Sequence, residues 1–231
     1  MYIYGKNVAR EAIENNQKIT KALIYKDFSD KNLISALQNL KISIKFCEKF
    51  ELDRVAPLNH QGIILSVPDY EYADINDIMN KENAFIVMLD HIEDPHNLGA
   101  IIRTCEAAGV SLVVIPKDRC ATVNETVVRT SAGALSSINV SMVTNLAQTI
   151  RKLKDNGFWI IGTDLEGDDY SKIDYKGKIC LIIGNEGSGM SNIVKNECDF
   201  LATIPMNGKI NSLNASVATG IIVFEAVKQR R

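Results

Sequence analysis

Phe85-Ile86-Val87-Met88-Leu89-Asp90 runs directly into His91-Ile92-Glu93-Asp94-Pro95-His96-Asn97-Leu98-Gly99-Ala100-Ile101-Ile102-Arg103, and this passage decides the fold class. Five successive apolar residues describe a strand buried on both faces, because a half-buried strand would alternate. After a short polar interval Pro95 presets φ for the first turn of a helix, which then contains Asn97 and Gly99. The same order recurs outward from here. Strands are expected at Phe85–Asp90, Leu112–Ile115, Phe158–Thr163, Ile179–Gly184 and Leu201–Ile204. Helices are expected at Asn97–Ala108, Asn124–Ala134, Leu146–Asn156, Ser191–Asn196 and Ala215–Lys228. Apolar strands alternating with helices imply an α/β domain whose parallel sheet is covered on both faces. Ligands of such sheets bind beyond the carboxyl ends of the strands.

The first 68 residues form a second, smaller α/β pattern. Helical spacing is expected over Gly5–Asn15 and Lys31–Leu40, strands over Lys21–Tyr25, Ile42–Phe46 and Gly62–Val67, and a short helix over Phe50–Val55. Residues 69–83 carry five carboxylates and little strand signal, and read as a linker with one short helix near Ile75–Met79. The division is therefore 1–68, 69–83 and 84–231.

With 46% hydrophobic and 23% charged residues in 231 positions, a sizeable core is available. No apolar run reaches membrane-spanning length, and the charged N-terminus does not read as a signal peptide, so a cytoplasmic protein with no membrane association is expected. Five scattered cysteines without a Cys-x-x-Cys pair argue against a disulfide framework or a zinc site, and no metal is expected. Net charge is −2, divided between about +3 for residues 1–68 and about −5 for the rest.

Three polar stretches fall at strand ends. In the first, Asn97 suits a helix cap, whereas Arg103 sits on a helix that is otherwise apolar. A guanidinium on a buried helix face needs an anionic partner such as phosphate or carboxylate. The second, Gly184-Asn185-Glu186-Gly187-Ser188-Gly189, is a glycine-rich turn with neither the Gly-x-Gly-x-x-Gly of a dinucleotide fold nor the Lys-Ser/Thr of a P-loop. Glu186 would repel a phosphate. It suits a cationic ligand, or backbone N–H groups that need an acceptor. The third is Ile204-Pro205-Met206-Asn207-Gly208-Lys209-Ile210-Asn211-Ser212-Leu213-Asn214-Ala215-Ser216-Val217-Ala218. Ser212, Asn214 and Ser216 compete for one capping position, which leaves polar groups over. Backbone near Ile204 and Leu213 suits an adenine edge, with apolar side chains against the ring.

Together these motifs resemble the SPOUT superfamily of RNA methyltransferases, in its SpoU-type 2′-O-ribose branch. The resemblance rests on Asn97-Leu98-Gly99-Ala100-Ile101-Ile102-Arg103, on Ile183 to Met190, and on Ile204-Pro205-Met206 with Ser212 to Ala218. It covers residues 84–231, with Asn214-Ala215-Ser216 where the motif usually reads Asn-Val-Ser. Tyr4 to Ala12 and His60-Gln61-Gly62-Ile63 resemble the ends of an L30e-like domain, and the whole chain is most similar to the 23S rRNA guanosine-2′-O-methyltransferase type.

The resemblance implies a deep trefoil knot holding S-adenosylmethionine, contacted by Gly184, Ile204 and Leu213, with Met206 a further candidate. It implies a homodimer through the C-terminal helix, whose apolar residues lie all round. It implies methyl transfer to a ribose 2′-hydroxyl, in rRNA or alternatively tRNA, with Arg103, Asn97, Glu186, Ser212 and Asn214 as the catalytic set. Arginine is a poor base, since its pKa exceeds ~12, so Arg103 is expected to hold the phosphate beside the target ribose. Lys6, Arg10, His60 and Arg129 are candidate RNA contacts. Two other readings fit less well: a nucleotide-binding oxidoreductase lacks its glycine fingerprint, and an RNA-binding adaptor with a dead cofactor site would have lost Arg103 or the Ser212/Asn214 pair.

Overall fold

The computed structural model describes residues 1–56, 59–209 and 212–231. Pro57 and Leu58, and Ile210 and Asn211 of the third polar stretch, lie outside the described residues. The chain divides into two compact units, Met1–Glu71 and Tyr72–Arg231.

The first unit contains β1 (Tyr2–Tyr4), α1 (Lys6–Glu14), β2 (Lys21–Tyr25), α2 (Lys31–Asn39), β3 (Ser43–Cys47), α3 (Lys49–Val55) and β4 (Ile63–Ser66). The sheet order is β1-β4-β2-β3, with β4 antiparallel to β1 and β2, and β2 parallel to β3. Strand β4 is central, and Ile63, Ile64 and Leu65 are wholly buried, as their unbroken apolar run requires. Helix starts are set locally: Asp30 accepts the Leu33 N–H to begin α2, and Glu48 and Glu51 form a capping box on α3. Strand β1 was not expected from the sequence. It is three residues long and lies on the sheet edge, too short to show a period.

The second unit contains β5 (Phe85–Asp90), α4 (Pro95–Ala107), β6 (Leu112–Pro116), α5 (Glu125–Thr130), β7 (Val140–Val143), α6 (Leu146–Asp155), β8 (Trp159–Asp169), β9 (Ile179–Gly184), α7 (Asn192–Lys195), β10 (Phe200–Thr203) and α8 (Ala215–Arg230). These strands form one parallel sheet ordered β10-β8-β9-β5-β6-β7. From β5 the chain builds outward through β6 and β7. It then returns to build β8, β9 and β10 on the other side, so direction reverses between β5 and β9. That reversal opens a crevice at the strands' carboxyl ends, where Asp90 lies opposite Gly184. Every residue of β5 and β6 is buried, which agrees with the continuous apolar runs.

Apart from α5, which ends at Thr130 where the sequence placed Ala134, three features of this unit differ from expectation. Strand β7 was missed because Ser141 interrupts a short edge segment. Strand β8 continues past Thr163 to Asp169 through exposed acidic residues, a stretch whose polarity hid its extended backbone. In the stretch read as a linker, Ile75, Ile78 and Met79 pack into the core of the second unit beside Leu112, Ile150 and Phe158.

Several glycines are required by packing. A Cβ on Gly99 of α4 would stand 1.8 Å from Thr130 Oγ1 and 2.7 Å from its Cβ, so this glycine lets α4 lie directly on α5. A Cβ on Gly184 would stand 2.5 Å from the Met190 backbone nitrogen, so the second loop can fold back only over a glycine. At the far end Arg230 fastens α8: it donates to the carbonyls of Tyr175 and Gly177 at 2.6 and 2.8 Å and to that of Asn83, and lies over the Phe85 ring.

The contact at Gly99 gives a direct test. Gly99→Ala should destabilise the protein by about 1–3 kcal/mol through overpacking, although alanine is the better helix former. Urea unfolding measures this, and an unchanged or higher midpoint would contradict the close α4–α5 contact.

Candidate active site

The three polar loops meet at the carboxyl end of the sheet. Asn97, in the first turn of α4, is buried, and donates its Nδ2–H to Glu186 Oε1 from the loop after β9. Asn214, from the start of α8, donates to Asn97 Oδ1 at 2.9 Å and to Glu186 Oε1 at 3.0 Å. The Ala215 backbone N–H reaches the same Glu186 oxygen at 3.3 Å. One carboxylate thus joins segments 89 and 117 positions away from Asn97 in the chain. The sequence offers Glu186 as an acceptor of backbone N–H groups; of its three donors only the Ala215 N–H is backbone, and the other two are side-chain amides.

The competition for the cap of α8 is resolved in favour of Asn214, whose Oδ1 accepts from Ser216 N at 3.0 Å and Ser216 Oγ at 2.6 Å. Ser212 is left exposed and faces the adjoining cavity.

That cavity has a volume of about 580 Å³, within the range of small-molecule sites. Gly184, Ile204, Met206 and Leu213, the four candidate cofactor residues, all line it, as do Glu186 and Ser212. Ile183, Ala218 and Ile222 supply apolar wall, and Asp164, Glu166 and Glu186 bring three carboxylates to it. Asp164 pairs with Lys195 at 2.9 Å. Burial alone would raise the Asp164 pKa, but the Glu166 N–H and the Lys195 ammonium hold its carboxyl below the usual range.

Arg103 requires a correction. The buried face of α4 comprises Asn97, Leu98, Gly99, Ile101, Ile102 and Cys105, and Arg103 projects from the other side, exposed. The desolvation argument for an anionic partner therefore does not hold within one chain. Arg103 is neither in the clasp nor on the cavity wall.

His60 also departs from its expected role. It is 7% exposed; its Nδ1 accepts the Gly62 N–H at 2.9 Å and its Nε2 contacts Asp53 at 2.9 Å. Both ring nitrogens are used inside the unit, so His60 shapes the turn before β4 and has none left to offer RNA. Arg10 is paired with Asp30 at 2.6 Å, and Lys6 lies 5.1 Å from the Phe28 ring centroid. Arg129 is exposed in the last turn of α5.

Two supports of the site were missed. Asp90, 1% exposed, accepts Ser191 N at 2.6 Å and Ser191 Oγ at 2.9 Å. Asn185 donates to the His91 carbonyl at 2.8 Å and accepts from Gly187 N at 2.9 Å. A carboxylate ending an all-apolar strand was the signal for Asp90. Among the described residues no cluster suits a metal ion. The five cysteines are free thiols, and burial pushes Cys120 and Cys198 up to about 12, so neither offers a thiolate at neutral pH.

Residues 84–224 match the SpoU rRNA Methylase family, and residues 2–73 match the RNA 2′-O ribose methyltransferase substrate-binding family. The chain belongs to the SpoU methylase family. It is an RNA methyltransferase, with a substrate-binding region ahead of its methylase domain. A TrmH family tRNA/rRNA methyltransferase of Staphylococcus aureus is 40% identical, over 99% of this chain and 96% of its own. The AviRb SpoU methyltransferase of Streptomyces viridochromogenes, crystallised with AdoMet, is 26% identical with a TM-score of 0.81, over 99% and 90% of the two chains. An AdoMet-bound rRNA methyltransferase of Sinorhizobium meliloti is 28% identical with a TM-score of 0.80, over 98% and 86%. No helix among the described residues is long and apolar enough to cross a membrane.

The clasp can be tested apart from activity. Glu186→Ala removes the acceptor of the buried Asn97 amide and should cost about 1–3 kcal/mol in urea unfolding. A cycle with Asn97→Ala should show the two losses to be less than additive. Full additivity would mean that the two side chains do not act together.

Proposed function

We propose that the enzyme methylates the ribose 2′-hydroxyl of one guanosine in 23S rRNA, using the cavity beside the Glu186 clasp. The carrying observation is that Gly184, Ile204, Met206 and Leu213 share one cavity whose lining includes Ser212 and Glu186. The methyl donor is S-adenosylmethionine, whose sulfonium makes the methyl carbon electrophilic. The cavity fits this group: its apolar wall suits the adenosine, and three carboxylates against the one lysine paired with Asp164 leave a net negative lining, which suits a cation rather than a phosphate.

The protein's own contribution is positioning. Backbone at Gly184, Ile204 and Leu213 fixes the cofactor's orientation. Ser212 orients the attacking hydroxyl, while Asn214, its amide taken up by Asn97, Glu186 and Ser216, positions Ser212 and Leu213 at the start of α8. Arg103, exposed and without an ion pair among the described residues, holds the phosphate beside the target ribose and offsets charge developing on the 2′-oxygen. Its guanidinium is too weak a base to remove the proton, which leaves through phosphate or water.

The first unit selects the RNA, through Lys6 and Arg10, with Arg129 contributing from the methylase domain. The RNA-selecting region is 1–68 and the methylase region 84–231, with the knot in the latter; of the segment 69–83 between them, Ile75, Ile78 and Met79 belong to the core of the second unit. The protein acts in the cytoplasm, in keeping with its RNA substrate and free thiols. It is a homodimer through α8, where Val217 and Phe224 are half-exposed apolar residues on an otherwise core-forming helix. A second acceptor, tRNA, is favoured by the double description of the Staphylococcus relative.

Isothermal calorimetry should show S-adenosylmethionine binding and no NAD binding. Arg103→Lys keeps charge but loses the planar fork; it should keep cofactor affinity and lower methyl transfer about tenfold or more. Transfer from tritiated cofactor at the wild-type rate would overturn the role given to Arg103.

A further inference from the structure

Outside the cavity and the clasp, two residues of left-handed backbone meet side chain to side chain. His91, one residue beyond β5, has φ +61, and Arg119, three residues beyond β6, has φ +51. Histidine visits the left-handed region more often than most residues, whereas arginine has no such preference. The Ala121 N–H bonds to the Ile92 carbonyl at 2.8 Å and ties the two loops together.

The side chains form a chain of three groups. The buried Asp90 carboxylate contacts His91 Nδ1, while its other oxygen is occupied by Ser191. The Arg119 guanidinium lies 3.5 Å from His91 Nε2. An arginine can only donate, so this contact is a hydrogen bond in the tautomer that carries its proton on Nδ1, facing Asp90. A buried carboxylate thereby fixes a ring, and the ring steadies a guanidinium. Arg119 is exposed, and among the described residues it makes no ion pair. Most of its five donors remain available on the strand-end side of the sheet, where the cavity also opens.

We propose that Arg119 is a phosphate contact for the RNA strand, with His91 and Asp90 as its positioning residues. This rests on the reading of RNA as the substrate. The phosphodiester would take the guanidinium edge that faces away from His91.

The test uses full-length protein, unmodified 23S rRNA and tRNA transcripts, and tritiated S-adenosylmethionine. Arg119→Ala should raise KM for the accepted RNA about tenfold, with kcat unchanged. It should also reduce the slope of log KM against log salt by about 0.7, the loss of one phosphate contact. His91→Gly, which suits the backbone angle, should give a smaller rise in KM, and His91→Gly with Arg119→Ala should be no worse than Arg119→Ala alone. Calorimetric S-adenosylmethionine binding should be preserved in all three. If wild type is active but Arg119→Ala keeps its KM and salt slope, the phosphate contact is overturned. If the double variant is fully additive, the positioning role of His91 is overturned. Wild-type protein that methylates neither RNA overturns the substrate reading, and this inference with it.

Discussion

The site depends on one carboxylate. Glu186 Oε1 receives N–H groups from Asn97, Asn214 and Ala215, and these residues belong to the first turn of α4 and the start of α8. Without that acceptor, a buried amide and a helix terminus would each lack a partner, and each unsatisfied group is costly. Negative charge at the start of α8 also agrees with the sign of the helix dipole there. The clasp therefore serves the fold and the site together: the contacts that close the loops also hold Asn214 beside the cavity.

A second constraint is steric. Gly184 allows Gly189 and Met190 to fold back over the end of β9, and Gly99 allows α4 to sit on α5. Asp90 then ties the end of β5 to Ser191 at the entrance of α7. The crevice made by the sheet's reversal is consequently walled by short, tightly held turns. Such turns are suited to orienting a hydroxyl and a methyl donor, because positioning is lost quickly when supporting contacts loosen.

Much of this was legible in the sequence, and the reasons are specific. Strand β5 and strand β9 were readable because continuous apolar runs have one common outcome between helices. The four candidate cofactor residues came from three motifs that occur jointly, and all four line one cavity. What failed was short or depended on direction. Strand β1 and strand β7 are too brief for a period. The burial of Arg103 was misread because helix composition says how apolar a segment is, not which side of it one residue occupies. His60 was misread because its partners, Asp53 and Gly62, lie in a turn whose geometry spacing cannot supply. Asp90 and Arg119 were overlooked since their roles come from side-chain contacts between loops.

The central claim is that this protein places a methyl group on a ribose 2′-oxygen in RNA. The most direct measurement is a map of 2′-O-methylation across total RNA from cells with and without the gene. The account predicts that one guanosine in 23S rRNA loses its mark when the gene is absent and regains it on complementation. Identical maps in the two strains would contradict it.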